Sequence, residues 1–181
     1  MTPVFDWATL PVLRTQRLLI RALTAADSAD LFAIYGDPEV MAFAGDPPFA
    51  EPGVITQMLA SVDRLFRERQ ALEWGIVHAQ EGRVIGTCGI HSFTADGTAA
   101  EIGCLLARRA WGQGLMAEAL TSVINLGFAA LGLESLRADI DAPNLRSRRL
   151  FQRLGFQPDP ALAPLLTLTR DAWQVVRQHR G

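Results

Sequence analysis

Two glycines separated by one residue stand where this chain turns into a helix. The stretch "RRAWGQGLMAEAL" starts at Arg108, and an apolar helical pattern follows Gly112 and Gly114. Missing side chains at this place leave the backbone N–H groups of residues 112–117 open, and the helix start adds roughly half a positive charge. We expect an anion site suited to phosphate, with a charge-assisted contact from Arg109. A tight turn with a flexible entry into the helix is the plain alternative.

A dinucleotide fingerprint is a second phosphate-binding interpretation of the same letters. "GQGLMA" matches G-x-G-x-x-A, and Asp139 or Asp141 lies downstream at a strand end. That fingerprint begins directly at the end of a strand and opens a parallel βαβ series. Here "RRAW" intervenes, the preceding strands look antiparallel, and 181 − 141 = 40 residues remain after Asp141. The sequence therefore disfavours a dinucleotide fold.

Composition limits the class of protein. The chain has 181 residues, 49% of them hydrophobic, which predicts a single domain over residues 1–181. Lys and Arg total 17 against 19 Asp and Glu, a net charge of −2, so no basic field favours nucleic acid. The N-terminus lacks the basic region of a secretory signal, and the apolar runs are shorter than the about 20 residues that span a bilayer.

Two cysteines, Cys88 and Cys104, lie in strand-like runs without metal-ligand spacing. We expect them to be reduced, buried thiols of a cytoplasmic protein, and we expect no metal site.

The periodicity predicts alternating helices and strands. Short turns at 81–82 and 95–97 make the three central strands an antiparallel meander, and "GDPPFAEPG" at 45–53 is a loop. Asp27 and Asn144 are expected N-caps, and Gly36 and Gly155 are expected helix ends. In chain order the predicted elements are a strand over 17–23, helices over 27–36 and 54–70, strands over 72–79, 83–93 and 98–107, a helix to about 131, a strand over 135–141, a helix over 144–155, and two closing strands, from Phe156 and over 165–176.

Four short motifs follow one another along the chain: "EIG" at 101–103, "WGQG" at 111–114, "NLRS" at 144–147 and "LGF" at 154–156. Together with the opening "TQRLLIRAL" they resemble the GNAT N-acetyltransferase superfamily, and more narrowly its ribosomal-protein-alanine acetyltransferase (RimJ/RimL-like) group. The superfamily's acetyl-CoA motif, Gln/Arg-x-x-Gly-x-Gly/Ala, is matched by residues 109–114. The resemblance covers nearly the whole chain.

This resemblance implies the α/β (α+β) GNAT acyl-CoA N-acyltransferase fold. That fold has a mixed, mostly antiparallel sheet of about seven strands, splayed between the fourth and fifth, with about four flanking helices. Acetyl-CoA would lie in the split, its pantetheine arm along Leu105 and Leu106 and held from the other side by Asn144. Its diphosphate would sit on the backbone amides of Gly112, Gln113, Gly114, Leu115, Met116 and Ala117.

Acetyl transfer to an amine needs a neutral amine. Deprotonation at pH 7 costs about 1 kcal/mol for an α-amino group and about 4.6 kcal/mol for a lysine, so an N-terminal amine demands little from a base. Glu101, at the start of the strand that leads to the cofactor, is our candidate base, directly or through a water. An exposed strand carboxylate is the alternative for Glu101, and His91 at a strand end is a second candidate base with a packing role as its alternative.

The general acid is less clear from the sequence. Many superfamily members place a tyrosine near the thiol, but Tyr35 is the only tyrosine here and Phe151 stands at the expected position. Ser147 is the nearest hydroxyl, and an ordinary first-turn serine is its alternative role. Because a thiol has a pKa of about 8.5, departure without an acid costs only about 2 kcal/mol at pH 7.

The acceptor side is expected under the first two helices and the loop at 45–53. Candidate pocket residues there are Phe43, Asp46, Phe49 and Trp74. We predict an acetyl-CoA-dependent N-acetyltransferase that acts, as a monomer or homodimer, on a protein N-terminus or a small-molecule amine. The alternative is a non-catalytic acyl-CoA-binding module with the same fold, which the absent tyrosine favours slightly.

Overall fold

The computed structural model describes residues 5–179, which form a mixed sheet with helices on both faces. The strands are β1 Leu13–Arg14, β2 Leu18–Arg21, β3 Leu72–His78, β4 Arg83–His91, β5 Ala99–Leu106, β6 Ser135–Ala138, β7 Gln157–Pro158 and β8 Leu166–Thr169. The helices are α1 Ser28–Tyr35, α2 Pro38–Met41, α3 Val54–Arg67, α4 Leu115–Ala129, α5 Leu145–Arg153 and α6 Arg170–Gln178. Short 3₁₀ turns occupy Ala25–Asp27 and Arg108–Ala110.

The sheet order is β1-β2-β3-β4-β5-β6-β8-β7, and β5 with β6 is the parallel pair among the described strands. The predicted meander is confirmed, because β3, β4 and β5 pair antiparallel. β5 pairs with β6 only over residues 99–101, whereas it stays paired with β4 up to Leu106. The sheet therefore opens between β5 and β6. This confirms the predicted split. It was expected between the fourth and fifth strands and is found between the fifth and sixth, because the short strand β1 precedes the first predicted strand.

Strand alternation divides the apolar residues between two cores. On one face of the sheet, Leu72, Trp74 and Ile76 pack with the buried stripe of α4. On the other face, Val77 and Val84 pack beneath α1 and α3. The central strands are buried on both sides, which fixes their register firmly.

The chain end differs from its prediction. Residues 165–176 were expected to be one strand, but β8 ends at Thr169 and α6 follows. The Thr169 hydroxyl accepts the N–H of Ala172 and so caps α6, while Trp173 is buried and donates its indole N–H to Asn125. An N-cap followed by an apolar residue at helical spacing outweighs the β-branched composition of the segment.

Two further differences are local. The Asp27 carboxylate does not cap α1; it accepts instead from the Thr24 N–H and from the Arg21 guanidinium. The short helix α2 and the short strand β1 had no predicted counterpart, because two- and four-residue elements leave little periodicity to read. Within residues 5–179, we find no helix with the length and apolar character needed to cross a membrane.

Candidate active site

The opening between β5 and β6 forms a cleft of about 940 Å³. Its walls come from β5, the start of α4 and α5, and from the first helices on the opposite side. The cleft is lined by most of the residues that the sequence singled out: Phe43, Leu105, Leu106, Gly112, Gly114, Leu115, Met116, Ala117, Asn144 and Ser147.

The glycine loop leads from β5 into α4. Gly112 and Gly114 have φ values of 74° and 75°, in the left-handed region that side chains other than glycine adopt with strain. No side chain caps α4 at Gly114, and among the described residues no group accepts a hydrogen bond from the N–H groups of residues 112–117. These donors and the positive end of the helix face the cleft, which is the arrangement that binds phosphate groups.

The back of this loop is held by the N-terminal segment. The Glu118 carboxylate accepts from the Thr15 hydroxyl, from the Arg17 N–H at 2.8 Å and from the Arg17 Nε at 2.7 Å. Arg17 also donates from Nη1 to the Gln113 carbonyl at 3.0 Å. The loop carbonyl is therefore fixed away from the cleft, which leaves its amides free.

Glu118 should stabilise the fold in a pH-dependent way. Burial alone would raise the pKa of Glu118, but the hydrogen bonds from Thr15 and Arg17 lower it overall. A lowered carboxyl pKa means that the stabilisation is present above the unfolded value of about 4.3 and is lost as the pH falls through the folded value. We expect Glu118→Gln to cost about 1 kcal/mol at pH 7, limited by the exposure of Arg17, and less at pH 4. Urea unfolding at the two pH values measures this, and an equal loss at both would contradict it.

Arg109 and Gln113 point away from the cleft. Arg109 lies in the 3₁₀ turn and donates to Glu81 at 3.0 Å, while the Gln113 side chain donates to the Arg109 carbonyl at 2.9 Å. The guanidinium contact predicted for Arg109 is thus not formed toward the loop in this structure.

Helix α5 forms the second wall of the cleft. Asn144 is its N-cap, as predicted, and its side-chain oxygen accepts the Ser147 N–H at 3.2 Å. Phe151 lines the cleft from the same helix and packs edge-on against Phe156, with ring centroids 5.0 Å apart. Ser147, one turn before Phe151, lines the cleft, and its hydroxyl makes no hydrogen bond in the described part of the chain.

Glu101 lies on β5 at the last residue that pairs with β6, where the split begins, and it is not part of the cleft lining. Its carboxylate is 34% exposed and lies 4.0 Å from Nδ1 of His91, the residue opposite it on β4. His91 itself lines the cleft. The structure therefore brings the two predicted candidate bases together as a neighbouring pair.

The expected acceptor pocket is only partly assembled. Phe43 lines the cleft, whereas Asp46 is exposed in the loop and Phe49 stacks on Tyr35 at a centroid distance of 5.2 Å. Trp74 is fully buried on the opposite face of the sheet and donates its indole N–H to the Pro11 carbonyl at 2.8 Å.

Sequence reasoning missed Glu73, which lines the cleft from β3. Polar neighbours lie close by: Thr87 is on the same face of the sheet, and the Tyr35 hydroxyl lies 2.8 Å from the Thr87 hydroxyl. Burial raises the pKa of Glu73 to about 7, an effect that the Thr87 hydroxyl opposes. The sequence feature that could have identified Glu73 is a single carboxylate between two apolar residues of a central strand.

The two cysteines face each other across β4 and β5, and both are free thiols. Burial raises the pKa of Cys88, and it raises the pKa of Cys104 to about 12. Both thiols are therefore protonated near neutral pH and are poor nucleophiles.

A sheet split beside an uncapped helix start suits a protein that binds a phosphate-bearing ligand in the cleft. The chain belongs to the acetyltransferase (GNAT) family, whose "Acetyltransferase (GNAT) domain" model matches residues 17–157. It is an acetyl-CoA-dependent N-acetyltransferase. The residues suit that cosubstrate, because a Cβ built on Gly112 would meet no atom within 4 Å and the backbone there is open to a ligand.

Known relatives agree with this assignment. The chain is 31% identical over 152 residues to the uncharacterized N-acetyltransferase YoaA of Bacillus subtilis (strain 168), covering 84% of this chain and 86% of that protein. It is 32% identical over 153 residues to the uncharacterized N-acetyltransferase p20 of Bacillus licheniformis, with the same two coverages.

Solved structures share the fold at lower sequence identity. The spermidine N-acetyltransferase of Vibrio cholerae, in complex with CoA and spermine, matches with a TM-score of 0.76 and 14% identity over 88% of this chain and 99% of that one. The ribosomal-protein-S5-alanine acetyltransferase of Vibrio fischeri matches with a TM-score of 0.74 and 19% identity over 90% and 98%. At these identities the likeness shows the fold alone.

Proposed function

We propose that this chain, acting as one domain in the cytoplasm, transfers the acetyl group of acetyl-CoA to a primary amine in a ternary complex. The acceptor is a protein N-terminal α-amine or a small-molecule amine, as in the RimJ/RimL-like group. The observation that carries the proposal is the set of free N–H groups at the start of α4, which face the same cleft as the Glu73 carboxylate of β3 and the His91 imidazole of β4. The names of the two structural relatives, one bound to spermine and one specific for a ribosomal alanine, support both acceptor classes.

The cofactor contacts follow from the cleft lining. We propose that the amides of residues 112–117 bind the diphosphate and that the free edge of β5 at Leu105 and Leu106 pairs with the pantetheine arm. Asn144 donates its side-chain amide from the opposite wall while its oxygen caps α5. Arg109 binds a phosphate once it releases Glu81, which is feasible because this ion pair is exposed and weak.

The catalytic groups are proposed on the same geometry. Bound acetyl-CoA supplies an activated thioester. Glu101, next to His91, takes the amine proton through a water, and the Ser147 hydroxyl donates to the departing sulfur. Phe43 and the loop carrying Asp46 and Phe49 cover the acceptor.

One assay tests the proposed function. Release of free thiol from acetyl-CoA is measured with N-terminal peptides, aminoglycosides, polyamines and amino acids as acceptors. The assay is repeated at several concentrations of the purified chain, because the fraction of a homodimer rises with concentration. Turnover on at least one primary amine is expected. Tight CoA binding without turnover on any of these acceptors would instead describe the non-catalytic module.

Glu101→Gln tests the proposed base. We expect kcat/KM to fall about 100-fold, the low end of general-base contributions, with the largest loss below the pKa of the acceptor, where the amine must still be deprotonated. The pH–rate profiles of both proteins measure this. A profile of unchanged shape would remove Glu101 from the mechanism.

A further inference from the structure

Glu73 has no role in the chemistry proposed above, yet its surroundings are built around it. It lies opposite Gly89 on β4, and a Cβ added to Gly89 would collide with Oε2 of Glu73 and lie 3.1 Å from its Cδ. The carboxylate therefore lies against the backbone of β4, in space that is open only because residue 89 is a glycine and has no side chain. Gly89 in turn pairs with Gly103 on β5, so the carboxylate lies about 5 Å, one strand spacing, from the strand that borders the split.

Two hydroxyl groups lie on the Glu73 side of the sheet. The Thr87 hydroxyl lowers the pKa of Glu73 and so favours its anionic form. The Tyr35 hydroxyl lies 2.8 Å from the Thr87 oxygen and hydrogen bonds to it. Polar groups therefore border the carboxylate on this side.

Within the described residues, no ion pair balances that anion. Asp27, Asp30, Asp37 and Glu118 have side chains less than 20% exposed, and each pairs with an arginine. The pKa of Glu73 is set by burial and by the Thr87 hydroxyl, with no contribution from a cation among residues 5–179. A carboxylate that is surrounded by protein and has no counter-ion is costly unless a partner arrives.

The space in front of Glu73 suits a small cationic group. Val40, Phe43 and Ala44 line the cleft from the first helices and contribute apolar surface. A primary ammonium with an aliphatic carbon chain satisfies both sides, because its charge meets the carboxylate and its carbon atoms meet the apolar wall.

We propose that Glu73 is the acceptor-binding carboxylate, which forms an ion pair with the ammonium group of the incoming amine. This inference rests on the proposed function and narrows its substrate to cationic primary amines. The amine binds as R–NH₃⁺, and one N–H bond breaks as its proton passes to the water served by Glu101. The lone pair of the neutral amine forms the N–C bond while one N–H is donated to Glu73. The nitrogen, now positively charged, loses a second proton as the C–S bond breaks to release the thiolate. The thiolate takes up the Ser147 hydroxyl proton, which that second proton replaces.

The test compares Glu73→Gln with wild type on the best acceptor from the amine panel. We expect the KM for the amine to rise about 30-fold or more, the KM for acetyl-CoA to stay within about twofold, and kcat to change by less than about threefold. Glu68→Gln, the same substitution on the exposed end of α3, is the matched control and leaves all three unchanged. Thermal unfolding verifies that both variants fold.

A pH series gives a readout that a structural role would not move. The raised pKa of Glu73 means that it binds as an anion above about 7 and is protonated below, so the wild-type amine KM rises as the pH falls through this region. Thr87→Val removes the hydroxyl that lowers this pKa, so it shifts the rise to higher pH. Tyr35, and Cys88 and Cys104 on the other face of the sheet, also interact electrostatically with Glu73, but their pKa values are raised and they stay neutral. His91 lies on the same face of the sheet as Glu73. The variant His91→Gln separates the effect of its imidazole on the amine KM from the effect of Glu73.

Each outcome decides the proposal. An unchanged amine KM in Glu73→Gln overturns it, and so does a fall in kcat at constant KM, which would make Glu73 the base. If wild type turns over none of the amines, the proposed function fails by itself. Calorimetry of the CoA-loaded protein with spermidine and hexylamine then tests Glu73 separately: binding that the variant loses supports the inference, and binding that it keeps, or no binding by wild type, overturns it.

Discussion

The Gly112→Ala/Gly114→Ala double variant is expected to bind coenzyme A at least about 100-fold more weakly than wild type, a difference of about 2.7 kcal/mol. Both residues have φ near +75°, so alanine at each position adds about 1 to 2 kcal/mol of strain or forces the loop to change shape. A loop of different shape no longer directs its N–H groups toward one phosphate site. Titration calorimetry with coenzyme A measures the loss.

A matched control separates strain from ligand contact. Gly97 has φ +70°, and a Cβ built there also meets nothing within 4 Å, but it lies in the turn between β4 and β5. Gly97→Ala therefore carries similar strain and should bind coenzyme A normally. Unchanged affinity in the double variant would remove the start of α4 from the binding site, and with it the main support for the proposed cofactor contacts.

The glycine loop was predictable because its signal is local. Gly112 and Gly114, the apolar stripe that follows and the preceding strand stand within about 30 residues, and helix–strand periodicity places them without tertiary information. The cap at Asn144 was predictable for the same reason. The three-strand meander also followed, because short turns leave consecutive strands little choice but to pair.

Glu73 escaped prediction because its significance is non-local. What marks it is its position opposite Gly89, the Thr87 hydroxyl that lowers its pKa and, within the described residues, the absence of an ion-pairing arginine, and all of these depend on other elements. The sequence alone does not say which face of β3 borders the cleft. It does say that Glu73 and Trp74 point to opposite faces, so only one of them can line it.

The assignment of side chains to ion pairs was equally hidden. Arg109 is poised by sequence next to the glycine loop, but Glu81, from the turn after β3, competes for it. Similarly, Asp27 stands at the expected cap position of α1 yet binds Arg21. Short-range rules give the positions of charged residues, while their partners depend on which loops the folded sheet brings alongside.

Trp74→Ala is expected to lower the free energy of unfolding by about 4 kcal/mol, the largest stability effect that we predict for a single side chain here. Trp74 is fully buried at the centre of the sheet, opposite Cys88, and its indole N–H bonds to the Pro11 carbonyl. Truncation leaves a large cavity and an unpaired carbonyl, whereas Trp74→Phe keeps most of the volume and should cost about 1 to 3 kcal/mol for the lost hydrogen bond.

Urea unfolding of the three proteins measures these differences, and the kinetics decide between the two roles considered for Trp74. A core residue changes stability and leaves the amine KM of the folded protein nearly constant below the unfolding transition. An acceptor-pocket residue does the reverse: Trp74→Ala would raise the amine KM at least about tenfold and lower stability by less than about 1 kcal/mol. Because the side chain has no exposed surface and lies on the sheet face opposite Glu73, we expect the first pattern.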